Sequence, residues 1–291
     1  MEYSYYPGCS LHGMSSDYDK SVKSVAMNLD IKLKELKEWV CCGARPAHIP
    51  DQMMNLAIPA LDLAEAGKLG LDLVTVCAAC YNRLKTTNMF LEKDNDKKKE
   101  IEGLVEGKIN SGLKIHHFLE ILTNDIEIDL LKSRIKRPLK ELKVACYYGC
   151  LLTRPEGMLE GEKIEDPEMM DLLMEALGAK SLAWPYKTEC CGTGFSISKT
   201  EIVLNLTGKI LKAAKRIGAE CIVVACPLCH ANLDMRQKEI EKHLKEKFNM
   251  PIFYFTELAA IAMGEDYKNL GLNEHFVDPF PLLEKKNIMQ E

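Results

Sequence analysis

Short apolar, β-branched or aromatic runs alternate along the chain with longer segments in which apolar positions recur every three or four residues. The short runs predict strands at 3–6, 31–36, 71–76 and 114–118, and again at 144–148, 182–186, 221–225 and 252–255. Helical spacing fills 17–28, 51–68, 168–177 and 199–217, with Gly67, Gly70 and Gly218 suited to the turns after helices. Strand–helix–strand alternation implies an α/β protein, with mostly parallel sheets flanked by helices. The charged stretch 92–109 reads as a solvated helix or surface excursion. The segment after Gly264, with Pro279 and Pro281, reads as an irregular surface extension.

The same order of elements occurs twice, and cysteines mark the register. Cys41-Cys42-Gly43 and Cys190-Cys191-Gly192 stand 149 residues apart, and Cys77/Cys80 and Cys226/Cys229 are separated by the same offset. Tyr5-Tyr6-Pro7-Gly8-Cys9 resembles Tyr147-Tyr148-Gly149-Cys150 at an offset of 141, so the second copy carries eight extra residues before its Cys-Cys pair. Downstream, Ile115-His116-His117-Phe118-Leu119-Glu120 resembles Ile252-Phe253-Tyr254-Phe255-Thr256-Glu257. Two copies of one unit account for nearly the whole chain, as domains over 1–135 and 140–265 with an extension over 266–291. Ten of the twelve cysteines have a counterpart in the other copy. Cys146 and Cys221 align with Tyr5 and Asp72, and read as buried strand residues.

Composition narrows the chemistry. The 291 residues are 47% hydrophobic and 28% charged, as in globular proteins, and a net charge of −5 gives no reason to expect a nucleic-acid partner. The N-terminal residues lack the basic segment and apolar run of a signal peptide, and no stretch is long and apolar enough for a direct membrane span. The expected location is therefore the cytoplasm. Thiols are kept reduced there, which disfavours a disulfide framework and leaves metal ligation or thiol redox chemistry.

In an open parallel sheet, the loops leaving the carboxyl ends of the strands line one edge. Cys9 follows the first predicted strand, Cys41 and Cys42 the second, and Cys77 and Cys80 the third, so five thiols should gather at that edge. Cys150, Cys190, Cys191, Cys226 and Cys229 should do the same in the second copy. A Cys-x-x-Cys pair at a helix start puts both sulfurs on one side of a turn whose N–H groups favour thiolate, and Pro227 suits the first helical position. Structural zinc and a cubane cluster each take four ligands, so five thiols exceed both. Adjacent cysteines point apart, which suits two irons of one extended cluster. A bystander cysteine in each set is the other reading, and thioredoxin-like exchange leaves three cysteines of each set unexplained.

The pattern Cys-x31-Cys-Cys-Gly-x34-Cys-x2-Cys, present twice with a longer first gap in the second copy, resembles the cysteine-rich CCG domain family, in its branch of heterodisulfide reductase B subunits of methanogens. The resemblance covers about residues 1–260. It implies two pseudo-twofold-related repeats, each holding a noncubane [4Fe-4S] cluster on all five sulfurs. It further implies that the two clusters face each other and reduce the coenzyme M–coenzyme B disulfide by one-electron steps, as an iron–sulfur oxidoreductase of methanogenesis. Two implied partners are the reductase's C subunit, an electron donor with cubane clusters, and its flavin-bearing A subunit. The latter would couple the reaction to ferredoxin reduction by electron bifurcation, with a hydrogenase or formate dehydrogenase upstream. CCG domains also serve as electron-transfer subunits of succinate, fumarate, glycolate or lactate oxidoreductases that bind no disulfide. The unequal spacing leaves open a zinc ion at one site.

A substrate anionic at both ends would be held by cations near the cysteine loops: Arg45, His48, Arg83, Arg154, Lys187, Lys199 and His230. Of these, Arg45 directly follows Cys-Cys-Gly-Ala, and His230 directly follows Cys229. His116-His117 reads as a packed pair, and Tyr5-Tyr6 as packing of the first strand, with a loop end that could shield a cluster from water.

Overall fold

The computed structural model describes residues 1–44 and 51–288. The first half contains β1 (Glu2–Tyr6), α1 (Ser16–Asn28), β2 (Lys32–Glu35), α2 (Gln52–Leu69), β3 (Leu73–Thr75), α3 (Ala78–Lys93), α4 (Asn95–Leu104), β4 (Ile115–His117), α5 (Phe118–Glu120) and α6 (Ile128–Ser133). The second half contains β5 (Lys143–Tyr147), α7 (Cys150–Thr153), α8 (Met169–Ala176), β6 (Lys180–Ser181), α9 (Thr200–Arg216), β7 (Cys221–Val224), α10 (Pro227–Leu233), α11 (Gln237–Leu244), β8 (Ile252–Tyr254) and α12 (Phe255–Ala262), and α13 (Phe280–Lys285) follows. Each half forms a four-stranded, wholly parallel sheet, ordered β2-β1-β3-β4 and β6-β5-β7-β8. The α/β architecture read from the pattern is the observed one.

The inner strands are buried on both faces, which is why Leu73–Thr75 and Cys221–Val224 show no polar alternation. Helices cover those faces with stripes at helical spacing, such as Tyr18, Val22 and Val25 on α1, or Val203, Thr207, Ile210 and Ala214 on α9. Asp51 caps α2 by accepting from the backbone N–H of Met53 and Met54, and Gly70 ends that helix in the left-handed region. Cys146 and Cys221 are fully buried within β5 and β7. In the charged stretch, α4 buries only Ile101, and Ile109 after it is buried too.

Register makes the two halves comparable residue by residue. Leu73, Val74 and Thr75 pair with Ile115, His116 and His117, as Ile222, Val223 and Val224 pair with Ile252, Phe253 and Tyr254. His117 and Tyr254 each begin a helix with a capping box, closed by Glu120 and Glu257.

Two expectations change. The strand expected at 182–186 is instead the pair Lys180–Ser181, and ladder bonding stops at Leu182, whose N–H donates to Val144 O at 2.9 Å. In the first half, the Tyr5 carbonyl accepts from the backbone N–H of Leu36 at 3.0 Å. In the second, the equivalent Cys146 carbonyl accepts the indole N–H of Trp184 at 2.9 Å, so a side chain takes the place of the next ladder bond. The extension after Gly264 is also built structure: it contains α13 and short 3-10 turns, and buries Leu272 and Leu283. Asp234 at the C-cap of α10 accepts from the N–H of Phe276 and Val277, and Glu274 accepts from Ser16 and Lys20 on α1, so this segment is bonded to both halves.

Candidate metal centre

β1 and β3 lie side by side while their onward connections run to opposite sides of the sheet, which places a crevice beyond their carboxyl ends. Cys9 leaves β1 there, and Cys77 is the N-cap of α3, with Cys80 one turn later. Cys226 caps α10 in the same way, with Pro227 at the first helical position. Gly8 and Gly149 show how close the backbone comes to the sulfurs. Both have φ near +70°, and a Cβ would stand 3.1 Å from Cys80 Sγ at Gly8 and 3.0 Å from Cys229 Sγ at Gly149. No other residue type fits without displacing a thiol.

A tyrosine braces each Cys-Cys loop. Tyr6 Oη donates to Val40 O at 2.7 Å, and Tyr147 Oη donates to Glu189 O at 2.6 Å, in each case the carbonyl just before the paired cysteines. In the first half, Asp62 also accepts from the Val40 N–H at 2.8 Å. These braces depend on tertiary approach; the repeated Tyr-Gly-Cys ends were their only mark in the sequence.

Every cysteine among the described residues is a free thiol. In the first set, Cys9 and Cys41 sulfurs are 3.8 Å apart and Cys42 and Cys80 sulfurs 3.2 Å, while Cys41 touches Cys42 and Cys77 touches Cys80. A single line of sulfur contacts thus joins all five. In the second set, Cys150 touches Cys190, Cys191 and Cys229 sulfurs are 3.5 Å apart, and Cys226 touches Cys229. These separations exceed the roughly 2.05 Å of a disulfide bond. Hydrogen bonding with Cys41 and Cys80 brings the Cys42 thiol down to about 3, and that with Cys150 brings Cys190 to about 6. Cys226 is held well below the ordinary thiol range by Cys229 and Cys77, helped by the N–H groups of Cys229 and Leu228. The same contacts push the thiols of Cys41, Cys77, Cys80, Cys150 and Cys229 up, so a proton is shared out unequally within each set. Five converging thiols are a donor set that fits an iron–sulfur cluster in each half. Cys9, Cys41 and Cys190 are exposed, whereas Cys42, Cys77, Cys80, Cys191, Cys226 and Cys229 are buried.

The two sets meet. Cys77 and Cys226, each other's counterparts, lie close enough to shift one another's ionisation, as expected for residues beside a pseudo-twofold axis. His117 spans the same junction: its Nε2 lies 2.8 Å from Val76 O and 3.2 Å from Ala225 O, the equivalent carbonyls before the two Cys-x-x-Cys turns. Its Nδ1 accepts from the Leu119 N–H, so the proton sits on Nε2 and is shared by both halves. Burial lowers the pKa of His117, consistent with a neutral ring. Tyr18 Oη also donates to Val76 O at 2.9 Å, and its ring stacks on Tyr254 with centroids 3.8 Å apart. His116 lies half-buried with its ring edge against Tyr3.

The expected anchoring cations fare differently. Arg45 and His48 lie outside the described residues. Arg154 grips Glu165 and donates to Thr188 O, Lys187 is buried against Asp166 and Asp171, and Arg83 donates to Asn55 O. Lys199 is exposed at the N-cap of α9. His230 corrects its expectation. Its ring points into the core, stacked on Tyr254 at 4.3 Å with Nε2 bonded to Ile252 O, and burial pushes its pKa down to about 3. It is a buried, neutral core residue. Asn232 was missed by the sequence reading: it donates to Cys191 O at 3.1 Å and lies 3.6 Å from Cys191 Sγ. Its counterpart, Arg83, makes no such bond.

The model of a cysteine-rich domain family, CCG, matches residues 3–85 and 144–234. The 8-methylmenaquinol:fumarate reductase membrane anchor subunit of Wolinella succinogenes is 33% identical over 280 residues, covering 95% of this chain and 97% of the relative. The B subunit of the ferredoxin/F420H2-dependent CoB–CoM heterodisulfide reductase of Methanosarcina acetivorans is 28% identical over 292 residues, covering 97% and 96%. A protein of Archaeoglobus profundus, named for its likeness to the B subunit of heterodisulfide reductase, is 28% identical over 277 residues, covering 91% and 92%. Among solved structures, a hypothetical protein from Helicobacter pylori shares the fold, with a TM-score of 0.77 at 15% identity over 95% of this chain, which spans about half (52%) of that structure. Among the described residues, no helix is long and apolar enough to cross a membrane.

Proposed function

We propose, from the premise that the chain belongs to the cysteine-rich CCG domain family, that it is the catalytic subunit of an oxidoreductase that reduces a small-molecule disulfide to two thiols. Cys9, Cys41, Cys42, Cys77 and Cys80 would hold one noncubane [4Fe-4S] cluster, and Cys150, Cys190, Cys191, Cys226 and Cys229 another. The bridge made by His117 between the carbonyls before Cys77 and Cys226 carries this reading: two sets side by side can address the two sulfurs of one disulfide. Cleavage takes up two electrons and two protons and releases two thiols; each cluster, when bound, supplies electrons singly. The chain's own part is to fix the two sets at a set separation through His117 and Tyr18, brace the Cys-Cys loops through Tyr6 and Tyr147, and leave Cys9, Cys41 and Cys190 at the surface.

The coenzyme M–coenzyme B disulfide is the substrate we propose first, since relatives covering nearly the whole chain carry that activity in their names. The proposed setting is a cytoplasmic electron-bifurcating complex of methanogenesis. Its C subunit would be the donor, its A subunit would bear the flavin, and a hydrogenase or formate dehydrogenase would stand upstream. Arg45 remains the proposed anchor for an anionic end of the substrate. A second reading, an electron-transfer subunit of a fumarate-reductase-type complex, is favoured by the 33% identity to the Wolinella protein and by the ties of Arg83, Arg154 and Lys187 to protein groups.

Anaerobic purification with iron, sulfide and zinc analysis tests the centre: two four-iron clusters give about eight irons per chain. Four irons with one zinc would mean a single cluster, and no iron would overturn the assignment. Turnover of the disulfide by the iron-loaded complex with a competent reductant supports catalysis. Intact clusters that do not turn over, while still passing electrons to a partner protein, would assign the relay instead.

A further inference from the structure

Behind the Cys226-x-x-Cys229 turn lies a second cluster of polar groups that uses no cysteine. Asp17 comes from the first turn of α1, His230 from α10 and Asp234 from its C-cap, Glu257 from the first turn of α12, and His275 from the C-terminal extension. The His275 side chain is fully enclosed, with Nε2 3.0 Å from Glu257 Oε1 and 3.4 Å from Asp17 Oδ2. Asp17, His230 and His275 each offer one donor atom, and these atoms lie within 4.8 Å of one another. Asp17 Oδ1 and His275 Nδ1 are buried without any hydrogen-bond partner.

His230 donates through Nε2 to Ile252 O at 3.1 Å, which leaves the lone pair on Nδ1. An imidazole whose far nitrogen donates to a backbone carbonyl is the usual arrangement behind a metal-bound histidine. Asp234 is already satisfied by the N–H groups of Phe276 and Val277, and Glu257 Oε2 by that of Tyr254, leaving Glu257 Oε1 turned to His275. Three carboxylates thus surround one imidazole, and among the described residues no lysine or arginine pairs with any of them.

We propose that Asp17, His230 and His275 bind one divalent cation of the zinc class. Two imidazole nitrogens and a carboxylate oxygen suit a borderline metal, and enclosure by protein groups is the mark of a structural site. The ion would tie the C-terminal extension to α1 of the first half and to α10 of the second.

The test is metal analysis of the iron-loaded protein produced with zinc in the medium, with X-ray absorption at the zinc edge. The expected result is one zinc per chain beyond the iron, with a shell of nitrogen and oxygen at about 2.0 Å and no sulfur at about 2.3 Å. Asp17→Asn and His275→Gln should each lose that zinc while keeping their iron, and Cys150→Ser should keep the zinc. No zinc after supplementation, a sulfur shell, or zinc retained in both Asp17→Asn and His275→Gln would overturn the proposal. If the substituted proteins do not fold, the zinc-edge spectrum of the unaltered protein decides alone. None of these readings depends on disulfide turnover, so they stand or fall apart from the proposed activity.

Discussion

At the scale of single residues, the sharpest constraints are the places where backbone and sulfur nearly touch. Gly8→Ala would force a left-handed φ on a residue with a Cβ, at about 1–2 kcal/mol, and would also press on Cys80 Sγ. Its expected outcome is a folded protein that has lost the iron of the first set, and Gly149→Ala should lose that of the second; iron counts and the cluster spectrum check both. Tyr147→Phe removes only a hydroxyl, yet strips the Glu189 carbonyl of its donor. A loss of about 1–2 kcal/mol is expected, seen as a melting temperature lower by several degrees. The gathering of ten cysteines was legible in the sequence because their spacing repeats and strand ends converge. The tyrosine braces and Asn232 were not, because a side chain that donates to a carbonyl 34 to 42 residues away leaves no local pattern.

At the scale of elements, the edge strands carry the departures from expectation. Apolar content at 182–186 reads as a strand, but backbone pairing is decided by which donor reaches the neighbouring carbonyl. Trp184 brings its indole instead of its backbone N–H to Cys146 O. Trp184→Phe keeps the ring and removes the donor, so thermal unfolding should show a cost of about 1–3 kcal/mol for the orphaned carbonyl. A different fastening joins α11 to β8. Glu241 accepts from the N–H groups of Phe248 and Asn249 and pairs with Lys247. Burial raises its pKa, but these donors outweigh it and hold the carboxyl below its ordinary value of 4.5. A depressed folded-state pKa gives stability that is present above the unfolded value and lost as the pH falls through the folded one. Glu241→Gln should therefore be less stable at pH 7 by about 1–2 kcal/mol, with the difference shrinking in denaturant titrations below pH 4.5.

At the scale of the whole molecule, two like halves are joined by unlike contacts. The parallel sheets and their helices could be read from the repeat, since period and turn residues are local; the His117 and Tyr18 contacts at the junction could not, since they fall where the copies differ. Asn232 places an amide donor near Cys191 Sγ, where the first half has Arg83 bonded to Asn55 O. Asn232→Leu should lower the reduction potential of the second-half cluster and leave the first unmoved, a difference that a redox titration followed by electron paramagnetic resonance resolves. The shared proton on His117 carries a broader consequence. In a dimer of identical subunits, every side chain beside the axis appears twice, and two imidazoles would compete for the same pair of carbonyls. Here the second copy is Tyr254, which stacks on Tyr18, so a single imidazole bridges the two carbonyls, and Tyr18 adds a second donor to that of Val76 alone. Carrying both copies on one polypeptide lets the molecule keep a two-sided frame while giving each side its own chemistry, a division of labour closed to any assembly of identical chains.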